Sequence, residues 1–344
     1  MRNLNRKIRV LIVDDSIVFR EILARGIGAD PLIEIVATAS DPYIARDKIV
    51  KLQPDVMTLD VEMPRMNGID FLRRLMPQYP IPVVMISAVN GAVFDALNAG
   101  AVDFVAKPAG HVHNLDHFLN ELQTKIKVAS LARVGQYRDE IKRPSNVRGL
   151  KKSTKHTSLI AIGASTGGTE AIHSILKSFP SEMPGILVVQ HMPAVFTRLY
   201  AERLNESCLL EVREAQGGDC LRSGQVLIAP GDYQMSINGS GPPFHIACQI
   251  GDKVNGHCPS VDVLFHSVAT QVGSNAIGVI LTGMGCDGAK GLLDMKKSGA
   301  RTIGQDETTS VVYGMPKVAN NIGSVEKQAA LDKIPQLLLD LLGV

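Results

Sequence analysis

Apolar and polar positions along this chain fall into blocks of two kinds. Short, almost wholly apolar runs rich in β-branched residues stand at Ile8–Val13, Ile33–Ala39, Val56–Leu59, Val83–Ile86 and Val102–Val105. Between them lie stretches with apolar residues at helical spacing, such as Ile17–Ile27 and Tyr43–Lys51. Such alternation predicts an α/β domain whose parallel sheet is covered by helices on both faces. The pattern returns after residue 157. Apolar runs Leu159–Ile162, Gly185–Val189 and Ile277–Leu281, with a helical stretch Glu170–Leu176, predict a second, doubly wound α/β domain with a mainly parallel sheet.

Between Val128 and Thr157 the periodicity lapses. The first half, VASLARVGQYRDE, can continue the preceding helix, whereas RPSNVRGLKKSTKHT scatters Pro, Gly, Ser and Asn among its charges. The expected organisation is a first domain over 1–127, a basic polar linker over 128–157 and a second domain over 158–344. Eight Lys/Arg against two Asp/Glu in the linker outweigh the chain's net +2, so neither domain is basic. That disfavours a nucleic-acid partner, and the second domain's α/β pattern leaves no compact helix-turn-helix.

With 45% hydrophobic and 20% charged residues, the 344-residue chain has ordinary globular usage and is not disordered. The longest apolar runs, such as Val10–Val13 and Ile186–Val189, are strand-sized, far from the roughly 18 residues of a membrane span. No membrane insertion is expected, and the basic amino terminus lacks the apolar length of a signal peptide. Five cysteines with no C-x-x-C pair fit reduced thiols in the cytoplasm. A monomer is expected.

In parallel sheets the functional residues collect at the carboxyl ends of strands. In the first domain these ends carry Asp14 and Asp15, then Asp60, Ser87, and Lys107 before Pro108. Three converging carboxylates would repel one another without a cation, and oxygen ligands with room for water suit Mg²⁺. Lys107 supplies a point charge for a phosphate and Ser87 a hydroxyl donor. Asp60 is then placed to accept a phosphoryl group. The pattern DDS…D-x-x-M-P-x-M-N-G…S-A…K-P over about residues 6–125 resembles the receiver domain of bacterial response regulators. The resemblance implies a flavodoxin-like strand order 2-1-3-4-5, phosphorylation of Asp60 by a histidine kinase, and Mg²⁺ on Asp14, Asp15 and Asp60. Phe104 matches the aromatic position of the receiver switch, although a buried core aromatic explains it equally well. His111, His113 and His117, with Asp116 among them, are a competing metal signal. No cysteine lies in this half, and the segment reads instead as a loop entering a polar helix end.

In the second domain the first strand opens into Gly163-Ala-Ser165-Thr-Gly167-Gly168. As a phosphate loop it lacks the Lys-Ser/Thr ending. As a dinucleotide fingerprint it lacks an acid closing the second strand, which ends in Gln190-His191. The third reading is a nucleophile turn of G-x-S-x-G form. His191 and Asp287 also fall at strand ends, Asp287 within Thr282-Gly-Met284-Gly-Cys286-Asp287-Gly288. Ser165 as nucleophile, His191 as base, Asp287 as orienting acid and the Met284 N–H as oxyanion donor make a coherent set. In α/β-hydrolases His comes last, so the order Ser…His…Asp excludes that fold family. Cys286 beside Asp287 reads as a small buried thiol rather than a catalytic one.

The stretches IGASTGG, VVQHMP, IAPGD, PSVDVLFHS, LTGMGCDGAKG and QDETTSVVYGMP resemble the chemotaxis protein-glutamate methylesterase (CheB) family, over about residues 158–320. The resemblance implies a phosphorylation-activated serine esterase that demethylates glutamate methyl esters on chemoreceptors and also deamidates glutamines. It implies chemoreceptors as substrate, a chemotaxis histidine kinase as phosphodonor, and no cofactor for ester hydrolysis. It also implies a receiver that obstructs the active site until phosphorylated. Two positions depart from the family pattern: Cys258 where Arg is usual and Gln234 where His is frequent. Both fall outside the proposed triad and place the consequence in substrate docking. The rival reading is a receiver joined to a ligand- or partner-binding module without turnover.

Overall fold

The structure, a computed structural model, describes residues 6–88, 91–108, 115–135, 159–239 and 241–343. They form two compact units, 6–135 and 159–343.

The first unit runs β1 (Ile8–Val13), α1 (Ile17–Gly28), β2 (Ile33–Ala39), α2 (Pro42–Leu52), β3 (Val56–Asp60), α3 (Gly68–Leu75), β4 (Val83–Ser87), α4 (Ala92–Asn98), β5 (Asp103–Ala106) and α5 (Leu115–Ala129). All pairings are parallel and the order is β2-β1-β3-β4-β5, as the receiver resemblance implied. Every residue of β3 and β4 is buried, which is why these strands read as unbroken apolar runs. Helix starts follow local chemistry. Ser16 caps α1 through the Phe19 N–H, and Asp41 caps α2 ahead of Pro42. Of the linker's first half, only Val128 and Ala129 continue α5.

The second unit runs β6 (Leu159–Ala164), α6 (Gly168–Lys177), β7 (Gly185–Gln190), α7 (Ala194–Ser207), β8 (Glu211–Glu214), β9 (Cys220–Leu221), β10 (Gln225–Ile228), β11 (Gln234–Asn238), β12 (Phe244–Gln249), α8 (Val261–Gln271), β13 (Ala276–Ile280), α9 (Ala289–Lys297), β14 (Arg301–Gln305), α10 (Met315–Asn321), β15 (Lys327–Ala329) and α11 (Ile334–Leu342). Seven parallel strands are ordered β15-β14-β13-β6-β7-β10-β8. The chain enters at the centre on β6, builds outward through β7, and later builds the other way from β13. The direction reverses between β6 and β13, and the crevice outside the carboxyl ends at such a point is where α/β sheets bind ligands. A small antiparallel sheet, β11-β12-β9, was not expected. It joins the core through Met235, Ile237, Phe244 and Ile246, packed with Leu264 and Val268 of α8. Among the described residues no helix is long and apolar enough to cross a membrane.

Candidate active site and phosphoacceptor pocket

In the first unit, β1, β3, β4 and β5 deliver their terminal residues to one pocket. Asp14, Asp60 and Ser87 are buried and Asp15 is exposed. Lys107 Nζ lies 2.6 Å from Asp60 Oδ2 and 3.4 Å from Asp14 Oδ2. Burial pushes the Asp60 carboxyl up to about 6, against the downward pull of Lys107. Burial alone would lower Lys107, but Asp60 and Asp14 together hold it above its ordinary value. Gly68 explains the Asn-Gly of the motif: a Cβ there would sit 2.0 Å from the Asp60 carbonyl oxygen. Asn67 caps α3 through the Asp70 N–H, so the helix starts hard against the phosphoacceptor strand.

Oxygens of Asp14, Asp15 and Asp60 lie within 4.8 Å of one another. Asp14 Oδ2 is buried and, beyond the Lys107 ion pair at 3.4 Å, accepts no hydrogen bond from the described residues. A hard divalent cation fits that all-oxygen set. Ser87 Oγ donates to the Ala88 carbonyl at 2.9 Å rather than into the pocket. Phe104 is buried on β5. Of the histidine segment, His111 and His113 lie outside the described residues, and His117 is exposed on α5.

In the second unit Ser165 follows β6, His191 follows β7 and Asp287 lies in the loop after β13, on three adjacent strands. His191 Nε2 is 2.8 Å from Asp287 Oδ2. Asp287 is buried and receives four further donors. The Val261 N–H reaches Oδ2 at 2.7 Å; Ser260 Oγ (2.7 Å), Asn255 Nδ2 (2.9 Å) and the Asp262 N–H (3.2 Å) reach Oδ1. Two of these donors belong to the first turn of α8, where a carboxylate is favoured. Burial would raise the Asp287 carboxyl, but the hydrogen bonds from His191, Asn255 and Ser260 hold it below the usual carboxylate range. Asp287 is therefore ionised, the proton sits on His191 Nε2, and Nδ1 is left as the basic nitrogen. That Nδ1 is buried and has no hydrogen-bond partner among the described residues.

Ser165 is held by its backbone. Its N–H donates to the Thr282 carbonyl at 3.0 Å, and its carbonyl accepts from the Gly168 N–H and from Gln190 Nε2. Among the described residues its hydroxyl makes no hydrogen bond, so the Oγ–Nδ1 contact is not closed here. Catalytic hydrogen bonds in unliganded enzymes are often open in this way. The loop after β13 passes directly over the serine: a Cβ on Gly283 would fall 2.6 Å from Ser165 Cβ. No described residue accepts the Met284 N–H on the following residue.

Several neighbours escaped the sequence reading. Asn255, His257 and Ser260 come from the loop between β12 and α8, which Gln234 anchors. Gln234 Oε1 accepts the Ser260 N–H at 2.8 Å, and Nε2 donates to the carbonyls of Asp252 (2.9 Å) and His257 (3.3 Å). Gln234 thus lies behind the Asp287 clamp, through its bond to the Ser260 N–H. Cys258 sits on the same loop and its carbonyl accepts from Asp232 N–H at 3.3 Å. Cys286 is exposed, contrary to the buried thiol expected. The Asn-Gly pair at 255–256 was a readable turn signal.

The receiver-domain profile of response regulators matches residues 10–119, and the CheB methylesterase profile matches residues 160–338. A protein-glutamate methylesterase/protein-glutamine glutaminase of Syntrophomonas wolfei is 61% identical over 340 residues, covering 98% of both chains. One from Salmonella typhi is 47% identical, covering 97% of this chain and 96% of its own. The crystal structure of the Thermotoga maritima CheB methylesterase catalytic domain aligns with a TM-score of 0.52 at 37% identity, covering 54% of this chain and 98% of that one.

Proposed function

This chain belongs to the CheB methylesterase family, with a response regulator receiver domain ahead of the esterase unit, and from that premise we propose the reaction and its residues. The protein hydrolyses glutamate methyl esters of chemoreceptors and deamidates receptor glutamines, in sensory adaptation. The observation that carries this reading is the His191–Asp287 pair at 2.8 Å, which leaves His191 Nδ1 without a partner among the described residues at the end of the strand next to the one that leads into Ser165.

Ser165 Oγ attacks the ester carbonyl while His191 Nδ1 takes its proton. Asp287 holds the imidazole by Nε2–H and stabilises the cation. The Met284 N–H receives the oxygen anion of the tetrahedral intermediate. Nδ1–H then protonates the departing methoxide, releasing methanol and leaving an acyl-enzyme. Water, deprotonated by the same Nδ1, frees the glutamate and restores Ser165. With glutamine the leaving group is ammonia.

In the receiver, Asp60 accepts the phosphoryl group from a histidine kinase and Lys107 pairs with the phosphoryl oxygens. Asp14, Asp15 and Asp60 would hold Mg²⁺, which when bound neutralises phosphoryl charge. Ser87 would turn from Ala88 toward the phosphoryl group and Phe104 would follow it as the switch aromatic. Domain limits of 1–127 and 158–344, with 128–157 as linker, accompany this reading. Five cysteines with no disulfide among them support a cytoplasmic site.

The test is methanol release from methylated receptor membranes. The parent protein releases methanol and a small phosphodonor accelerates it. Ser165→Ala releases none, and Asp60→Asn no longer responds to the donor. Turnover surviving in Ser165→Ala would remove the serine mechanism, and no methanol release by the parent protein would favour the binding-module reading.

A further inference from the structure

His257 has no part in the triad, yet its ring lies on the proposed base. The His191 and His257 ring centroids are 3.6 Å apart and the planes differ by 8°. His257 is held rigidly for this. Its N–H and carbonyl pair with Val254 at 3.0 Å each, closing a turn whose central residues, Asn255 (φ +52°) and Gly256 (φ +85°), are both left-handed. Its carbonyl also accepts from the Gln234 amide.

An imidazole tethered at one nitrogen can still swing about that hydrogen bond. Asp287 fixes Nε2 of His191, while Nδ1 has no partner until the serine proton arrives. We infer that His257 is a positioning residue for the reaction proposed above: its flat ring holds His191 in the rotation that keeps Nε2 on Asp287 and Nδ1 open to Ser165. The same tight turn carries Asn255 to Asp287, so one loop sets both partners of the pair. The ring must also be uncharged, because a cation against His191 would oppose the imidazolium that forms during acylation. Burial and the neighbouring His191 push the His257 imidazole down to about 4, with Asp287 opposing and Lys253 adding to the shift. It is neutral at neutral pH.

This inference rests on the serine-esterase reading, and the experiment separates the two. The full-length protein is treated with an alkyl fluorophosphonate. The Ser165 Oγ–P bond forms, the P–F bond breaks, fluoride leaves, and the hydroxyl proton passes to His191. Labelling is followed as a maximal rate and a half-saturation concentration, with Ser165→Ala as the control. Failure of the parent to label at Ser165 would overturn the reading of the site itself. With labelling present, His257→Ala lowers the maximal rate about tenfold or more while half-saturation stays within about twofold. His257→Phe, which restores a flat uncharged ring, returns the rate to within about threefold of the parent. Should His257→Ala fail a thermal-melt check, His257→Leu, which fills the volume without a flat face, replaces it. A parental rate in the ringless variant, or Phe no faster than it, overturns the inference.

Discussion

Replacing Asp287 by Asn keeps the shape of the side chain and removes its charge, and the donors around it determine which way the amide lies. Oδ2 takes His191 Nε2–H and the fixed Val261 N–H at 2.7 Å. Oδ1 takes Ser260, Asn255 and Asp262. An Asn can accept on one side only. On the Oδ1 side the Ser260 hydroxyl can rotate to accept, while the Asn255 amide, which also donates to Asp262 Oδ2 at 2.7 Å, gives up its bond to residue 287. The Asp262 N–H, the longest of the five contacts at 3.2 Å, loses its partner too, whereas the opposite orientation would strand the Val261 N–H at 2.7 Å and force His191 into its other tautomer. The amide oxygen therefore goes to His191 and Val261, and His191 keeps its Nε2–H form. What is lost is the negative charge facing the imidazolium of the transition state.

Two unit charges about 4 Å apart at an effective dielectric constant of about 20 interact by about 4 kcal/mol. At about 1.4 kcal/mol per decade, Asp287→Asn should lower kcat about 10³-fold. The opposite amide orientation would impose the wrong tautomer and a loss nearer the ~10⁴ known for a serine-protease triad. The assay is methanol release from methylated receptor membranes under saturating substrate, with KM measured alongside. A kcat within about tenfold of the parent would sink the assignment of Asp287, since no charge effect that small fits a contact at 2.8 Å.

Two further outcomes follow from buried polar groups. Gln234→Ala should lower kcat about ten- to a hundredfold with KM nearly unchanged, because the amide supports the clamp on Asp287; a raised KM with intact kcat would return Gln234 to substrate docking. Burial pushes the Glu170 carboxyl up to about 7, with Arg203 opposing. The folded state thus holds that proton more tightly than the unfolded chain, so the stability it contributes is present below about pH 4 and lost as pH rises through about 7. Glu170→Gln should stabilise the protein by on the order of 1–3 kcal/mol at pH 8 and hardly at all at pH 4, and equal shifts in Tm at both pH values would refute the burial argument.

β3, β4, β6, β7 and β13 were legible because every residue in them is buried, so apolar character alone marks them. β1 and β2 span the very residues of their apolar runs, and β3 and β4 extend theirs by one residue to include Asp60 and Ser87. The rule that chemistry gathers at carboxyl ends then singled out Asp14, Asp60, Lys107, Ser165, His191 and Asp287 as candidates, and the structure places them at those ends. The antiparallel sheet stayed hidden because its strands are short and mixed. β9 is two residues long, and β11 sets Gln234, Ser236 and Asn238 among its apolar positions. Asn255-Gly256 was readable as a tight turn, but its partner Asp287 lies 32 residues further on. Nothing in the spacing of His191 and His257 predicts that their rings lie flat together. The contact arises where β6, central in the sheet, lies between β7 and β13, and where Gln234 ties the loop before α8 back toward the dyad. Gln234 shows what the resemblance alone leaves open. A departure from a family pattern marks a position as different, and only its partners decide whether that position faces the substrate or the carboxylate behind it.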